Sequence, residues 1–179
     1  MKVERKMKTS NNKEIIRDLV KQLNSEEWLI RFNAAKILGN IDAEEAIQEL
    51  LDKLKRENNR DVRRGIVEAL KEIDLEVAIP VLIDTMNDDS SMIVRYTAAR
   101  ALGRMGAKEA LPAIKNRVLK ETNSESIFWF YIAIARLEED EKGEGCEKIR
   151  NLKKKNMLTE KQEVIFSNLV EIIKQKKKK

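Results

Sequence analysis

Histidine is absent from this chain, and with it go the commonest general base and the commonest metal ligand. The single cysteine, Cys146, cannot close an internal disulfide, and one thiol cannot assemble a zinc site of the usual Cys/His kinds. With no histidine to activate it, Cys146 reads as a small buried or half-buried apolar residue, not as a nucleophile. Two prolines and six glycines suit a helical array better than a sheet, so strands are not expected. No glycine-rich phosphate loop occurs, because Gly143-Glu144-Gly145 lacks a third glycine and a preceding strand. The longest apolar run, Ile127 to Ala135, has nine residues, short of the ~20 that a membrane span needs. Met1 to Lys13 is polar where a signal peptide would carry an apolar core. The expectation from these absences is a soluble, cytoplasmic, non-enzymatic protein with no cofactor, no metal and no membrane partner.

Charge is abundant but nearly balanced. Five lysines within residues 174–179 account for the whole formal excess of +5, leaving the remainder neutral against 31 acidic residues. The run Glu138-Glu139-Asp140-Glu141 lacks the alternating ligands and turn glycine of a calcium loop, and is expected to be a solvated loop or helix end.

What the chain does have is a repeat. Val94-Arg95 and Ala101-Leu102 return one period earlier as Val62-Arg63 and Ala69-Leu70, and a period before that as Ile30-Arg31 and Ile37-Leu38. A spacing of about 32 residues marks helical hairpins that bury their apolar faces only by stacking on one another. The first helix is expected at Lys13 to Leu23 and the second from after Asn24-Ser25 to about Gly39, with Ile30, Ala34, Ala35, Ile37, Leu38 and Ile41 inward. Asp42 with Glu45 reads as a capping box opening the second hairpin, and Thr122 with Glu125 as a cap inside the fourth. Pro80 and Pro112 sit in equivalent first turns. The fourth hairpin carries Leu111, Ile114, Val118 and Leu119 inward. Ile127 to Ala135 is apolar all round and needs cover on two sides. A helix with Ile149 and Leu152 can provide it, followed by one capped by Thr159 and Gln162 that carries Ile165, Phe166, Leu169, Val170, Ile172 and Ile173.

The predicted organisation is a frayed or disordered lead-in at 1–12, one repeat domain over 13–175 and a basic tail at 176–179. The hairpins fall at about 13–41, 42–73, 74–106, 107–138 and 143–175, the last degenerate.

Ala78-Ile79-Pro80, Ala110-Leu111-Pro112, Val94-Arg95 and the run Ala98 to Gly103, at this period, resemble HEAT-like repeats of the short phycobilisome-lyase type. The likeness is best at 78–109, good at 15–77, partial at 110–137 and poor beyond. It implies an all-α, right-handed α-α superhelix with the second helices on the concave side. It also implies a ladder in which a turn Asp and the Arg of Val-Arg link neighbouring repeats. The resemblance puts Asp89 and Arg95 in that ladder, with Arg63 and Arg31. The turn positions before Arg31 and Arg63 are Ser25 and Glu57, so an incomplete or altered ladder is expected. The di-iron hydroxylases built of such pairs are excluded by the absence of histidine.

Residues outside the apolar stripe of the second helices are the candidates for contact with a partner. Aligned by the period, they read Phe32, Arg64, Tyr96, Phe128; then Asn33, Gly65, Thr97, Trp129; then Lys36, Glu68, Arg100, Ile132; then Asn40, Glu72, Arg104, Arg136. Aromatic residues and arginine are the types enriched at interface hot spots. Phe32, Lys36, Arg64, Tyr96, Arg100 and Arg104 are therefore the expected contacts for a protein partner, which a non-catalytic scaffold or adaptor of this kind would bind through its concave face. The competing reading has the aromatics filling gaps between repeats and the arginines pairing with Glu68 and Glu72. Phe128, Trp129 and Tyr131 stand between exposure and burial under the last helices, with burial favoured for the first two. A nucleic-acid-binding relative of the HEAT-like alkylpurine DNA glycosylases is the alternative, with Trp28, Trp129 and the lysine runs in its favour. Glu68, Glu72 and Glu76 interrupt any basic channel and count against it. A third reading, an accessory subunit of a larger enzyme, rests on the family name alone. Oligomeric state is left open.

Overall fold

A computed structural model describes residues 10–140 and 142–176. Residues 1–9 of the expected lead-in, Glu141, and Lys177 to Lys179 of the expected tail lie outside the described residues. The described chain is all-α. Its helices are α1 (Ser10–Gln22), α2 (Trp28–Asn40), α3 (Ile47–Arg56), α4 (Arg60–Ile73), α5 (Ile79–Asp88), α6 (Met92–Met105), α7 (Leu111–Val118), α8 (Ser124–Glu138), α9 (Glu144–Lys154) and α10 (Glu160–Lys176). The first begins at Ser10, ahead of the expected Lys13. No helix among the described residues is long and apolar enough to cross a membrane.

The period governs the joints as well as the core. Helices α2, α4, α6 and α8 are entered through Glu27, Asn59, Ser91 and Asn123, all in extended backbone. Asn59 and Asn123 each accept two backbone N–H groups with their side-chain oxygen, which satisfies donors that the first turn leaves open. The cap of α8 is thus Asn123, one residue beyond the expected Thr122. Asp42 is no cap either. It takes φ 56, as Asp74 does, and Gly106 takes φ 71 at the same register. Each ends a second helix in the left-handed turn that closes many helices. A single 3₁₀ turn follows at Glu44–Ala46, Glu76–Ala78 and Lys108–Ala110 before α3, α5 and α7. Pro80 falls in the first turn of α5 and Pro112 in that of α7, where a missing N–H costs nothing. Thr159 and Gln162 form the expected reciprocal cap, with Gln162 accepting the Thr159 N–H at 2.9 Å and Thr159 accepting that of Gln162 at 3.3 Å.

The helices form two compact units, Met1–Val81 and Leu82–Lys179. In the first, Leu19, Leu23, Ala34, Ala35, Leu38, Leu50, Leu51, Leu54, Ile66 and Leu70 are buried. Helices α2 and α4 meet backbone to backbone, since a Cβ added at Gly39 would lie 2.6 Å from Ala69 Cα. Ile30 and Ile37, expected inward, are 37% and 42% exposed. Their register-mates Val62 and Ala69 on α4 are buried; apolar spacing marks the side of a helix built to mate, not whether that side is covered.

In the second unit α6 and α8 repeat the close approach, with a Cβ at Gly103 only 2.9 Å from Ala133 Cα. Helices α9 and α10 cover the other flank of α8 as expected. Phe128, Ile132 and Ala135 pack there with Cys146, Ile149, Phe166, Leu169 and Ile173. Cys146 is fully buried. Leu119 at 80% and Ile172 at 49% exposure depart from the expected core.

Candidate functional site

The ladder is built on the arginines that open the second helices, Arg31, Arg63 and Arg95. Arg31 donates from Nη1 to the Ser25 and Glu26 carbonyls, both at 2.8 Å. Arg63 does so to Glu57 and Asn58, at 3.1 and 2.8 Å, and Arg95 to Asp89 and Ser90, at 2.9 and 3.3 Å. Each arginine thus ties down the turn before its own helix. The remaining edge of Arg31 engages Glu57, from Nε and Nη2 at 2.8 Å each. Arg95 engages Glu121 in the same way, at 2.7 and 3.0 Å. The carboxylate therefore comes from the next hairpin, 26 residues on. This corrects the expected Asp89–Arg95 carboxylate pair: the Asp89 side chain accepts the Ser91 N–H at 2.8 Å, and Arg95 takes its main-chain carbonyl. Glu57, read as an alteration of the ladder, is one of its members.

Both carboxylates are nearly closed to solvent, at 2% side-chain exposure. Burial alone would raise the Glu57 pKa, but hydrogen bonds from Arg31, the Asn59 N–H and Lys53, with the attraction of Lys53, bring it down to about 2. Glu121 is likewise lowered: burial opposes, and Arg95, Ser126 and Arg117 prevail. Charged groups held this way are costly to break because the survivor stays buried and unpaired. The ladder is structural.

The partner-contact candidates lie elsewhere, on the outward faces of the second helices. In the first unit Arg64 lies over the Phe32 ring, 5.6 Å from its centroid. Phe32 can lie against α4 because Gly65 faces it; a Cβ there would come within 2.7 Å of Phe32 Cδ2. Arg64 also has Asp61 and Glu68 within 3.7 Å, so this arginine is largely neutralised. Phe32 and Arg64 are half-buried, and Lys36 is exposed. Gap-filling and pairing with Glu68 both hold here, as the competing reading had it.

In the second unit Trp129 is the centre. It is half-buried, stacks on Tyr96 at 6.4 Å between centroids and meets Phe128 edge-on at 5.3 Å. Arg100 lies 5.1 Å above it, within cation–π range. Phe128 is buried, as expected, whereas Trp129 keeps an open side. Tyr131 is also half-buried. Thr97 and Ile132 are buried and offer a partner nothing. Arg104 is exposed. Arg136, in the same row, completes this face although it was not among the expected contacts; its register with Arg104 was the available signal. Its Nε is buried with no hydrogen-bond partner. Its pKa is lowered by burial, then by Arg104 and Arg100.

Of the acidic run after Arg136, Glu138 holds Lys115 at 2.8 Å and the Gly145 N–H at 3.0 Å. Glu139 pairs with Lys176 at 2.5 Å. These are helix-end contacts. The sequence model of a family described as HEAT repeats matches residues 5–71 and 48–135 of the chain. No curated protein matches it.

Proposed function

The chain belongs to the HEAT repeat family, and from that premise we propose that it is a non-catalytic, cytoplasmic adaptor that binds a protein partner through the outward faces of its second helices. The ~32-residue period favours the short phycobilisome-lyase subtype within that family. The observation that carries the binding reading is the half-open arginine–aromatic stack of Arg100, Trp129 and Tyr96. Such side chains combine apolar area with polar reach at little entropic cost, which is why they dominate interface energetics. The pair of Phe32 and Arg64 in the first unit is the second candidate, with Asp61 and Glu68 beside its arginine.

The test is recovery of bound proteins from the native lysate by the intact chain and by a variant with Arg64, Tyr96 and Arg100 all changed to alanine. Loss of a protein from the recovered set supports the reading, provided the variant's circular dichroism is unchanged. An identical set contradicts it.

A further inference from the structure

Arg100 and Arg104 stand one turn apart on α6, on the same side of the helix. Arg136 stands on α8 just past Ala133, the residue that Gly103 admits to direct backbone contact. Three guanidinium groups are thereby drawn around the α6–α8 junction, and that of Arg100 lies over the half-buried Trp129. They are close enough for both α6 arginines to act on the charge of Arg136. The Arg136 Nε–H is sealed from water without an acceptor. A buried donor left unmade is costly, more so when charged, and a guanidinium cannot escape by losing its proton. An arriving anion would offset the like charge that the three arginines share.

We propose that Arg100, Arg104 and Arg136, with Trp129 as floor, form a docking site for an acidic protein segment that presents paired carboxylates next to an apolar side chain. The inference rests on the adaptor reading above and names the chemistry of its partner. The planar fork of arginine matches a carboxylate in two-point contact, and Trp129 supplies the apolar contact. Carboxylates are favoured over a nucleic-acid backbone because the basic character is local. A phosphate chain needs a basic track, and the corresponding register of the first unit holds Lys36, Asn40, Glu68 and Glu72.

The experiment is fluorescence anisotropy of the full chain with a short dye-labelled peptide carrying glutamate pairs around leucines. Its controls are the same peptide with glutamine for glutamate and a labelled single-stranded oligonucleotide. The Glu peptide is expected to bind at least about tenfold more tightly than the Gln peptide. The double variant Arg104→Gln/Arg136→Gln should lose that advantage, since each charged hydrogen bond is worth about tenfold in affinity. Arg136→Met separates a binding arginine from a structural one: removing a half-buried charge whose Nε–H is unmatched should raise Tm by about 2–4 °C while weakening the peptide. Equal affinity for the two peptides, tighter binding of the oligonucleotide, or a fall in Tm for Arg136→Met overturns the proposal. Should the Glu peptide fail while the triple alanine variant still loses a partner from lysate, the adaptor reading stands and the acidic partner falls.

Discussion

In Met1–Val81 a buried carboxylate, Glu57, gathers Arg31, Lys53 and the Asn59 N–H; in Leu82–Lys179 its register-mate Glu121 gathers Arg95, Arg117 and Ser126. A glycine opposite an alanine sets the close approach of second helices in each, Gly39 with Ala69 and Gly103 with Ala133. The outward faces follow no such copy. Arg64 is balanced by Asp61 and Glu68, whereas Arg136 feels the like charge of Arg104 and Arg100 and has a buried Nε–H unmatched. Inside each unit, packing of two hairpins finds the same solution, so the interior repeats. A surface that departs from its own repeat, at a cost in stability, is where function is to be sought.

The comparison is broken most severely at the carboxylates. Glu57→Ala and Glu121→Ala should each cost about 3–5 kcal/mol, the range for stripping one partner from a buried pair, as read by urea unfolding. A loss under 1 kcal/mol in one of them would mean that the two units are not alike inside. The same pair sets an acid limit. Because the Glu57 pKa drops from 4.5 unfolded to about 2 folded, its contribution is complete above pH 4.5 and is lost as pH falls through that window toward 2. Glu57→Gln should flatten the dependence of Tm on pH in that interval; an unchanged slope would count against the assignment.

Gly39→Ala and Gly103→Ala come next. Each forces a methyl into backbone at under 3 Å and should cost about 1–3 kcal/mol, nearly the same in both units, by thermal unfolding. The smallest effects belong to the left-handed turns. Asp74→Gly should stabilise by about 0.5–1 kcal/mol and Gly106→Ala should destabilise by a similar amount. Nothing lies within 4 Å of a Cβ at Gly106, so backbone strain alone is measured. Equal signs for the two substitutions would refute the shared turn.

Much of the fold was legible because burial writes itself into spacing: Ile66, Leu70, Val94, Ala98 and Leu102 all lie inside as their period demands. The joints were harder. Thr122 and Asp42 have the right chemistry for caps, yet Asn123 caps and Asp42 ends a helix; the positions of Asn123 two periods from Asn59 and of Asp42 one period from Asp74 carried the information that residue type did not. The ladder was misread for a similar reason. Glu57, Asp89 and Glu121 recur at one spacing, but comparing turns within a hairpin hid the fact that Arg31 and Arg95 reach forward to the next. The half-open state of Trp129 was not readable, since it depends on how far α9 and α10 extend over α8, which no local pattern encodes.

Hydrogen–deuterium exchange of the intact chain, with and without saturating Glu peptide, tests the central claim most directly. The account predicts slowed exchange in the segments that cover α6 and α8, with α2 and α4 unchanged. Slowed exchange in α2 and α4 instead, or equally in all four, would contradict it.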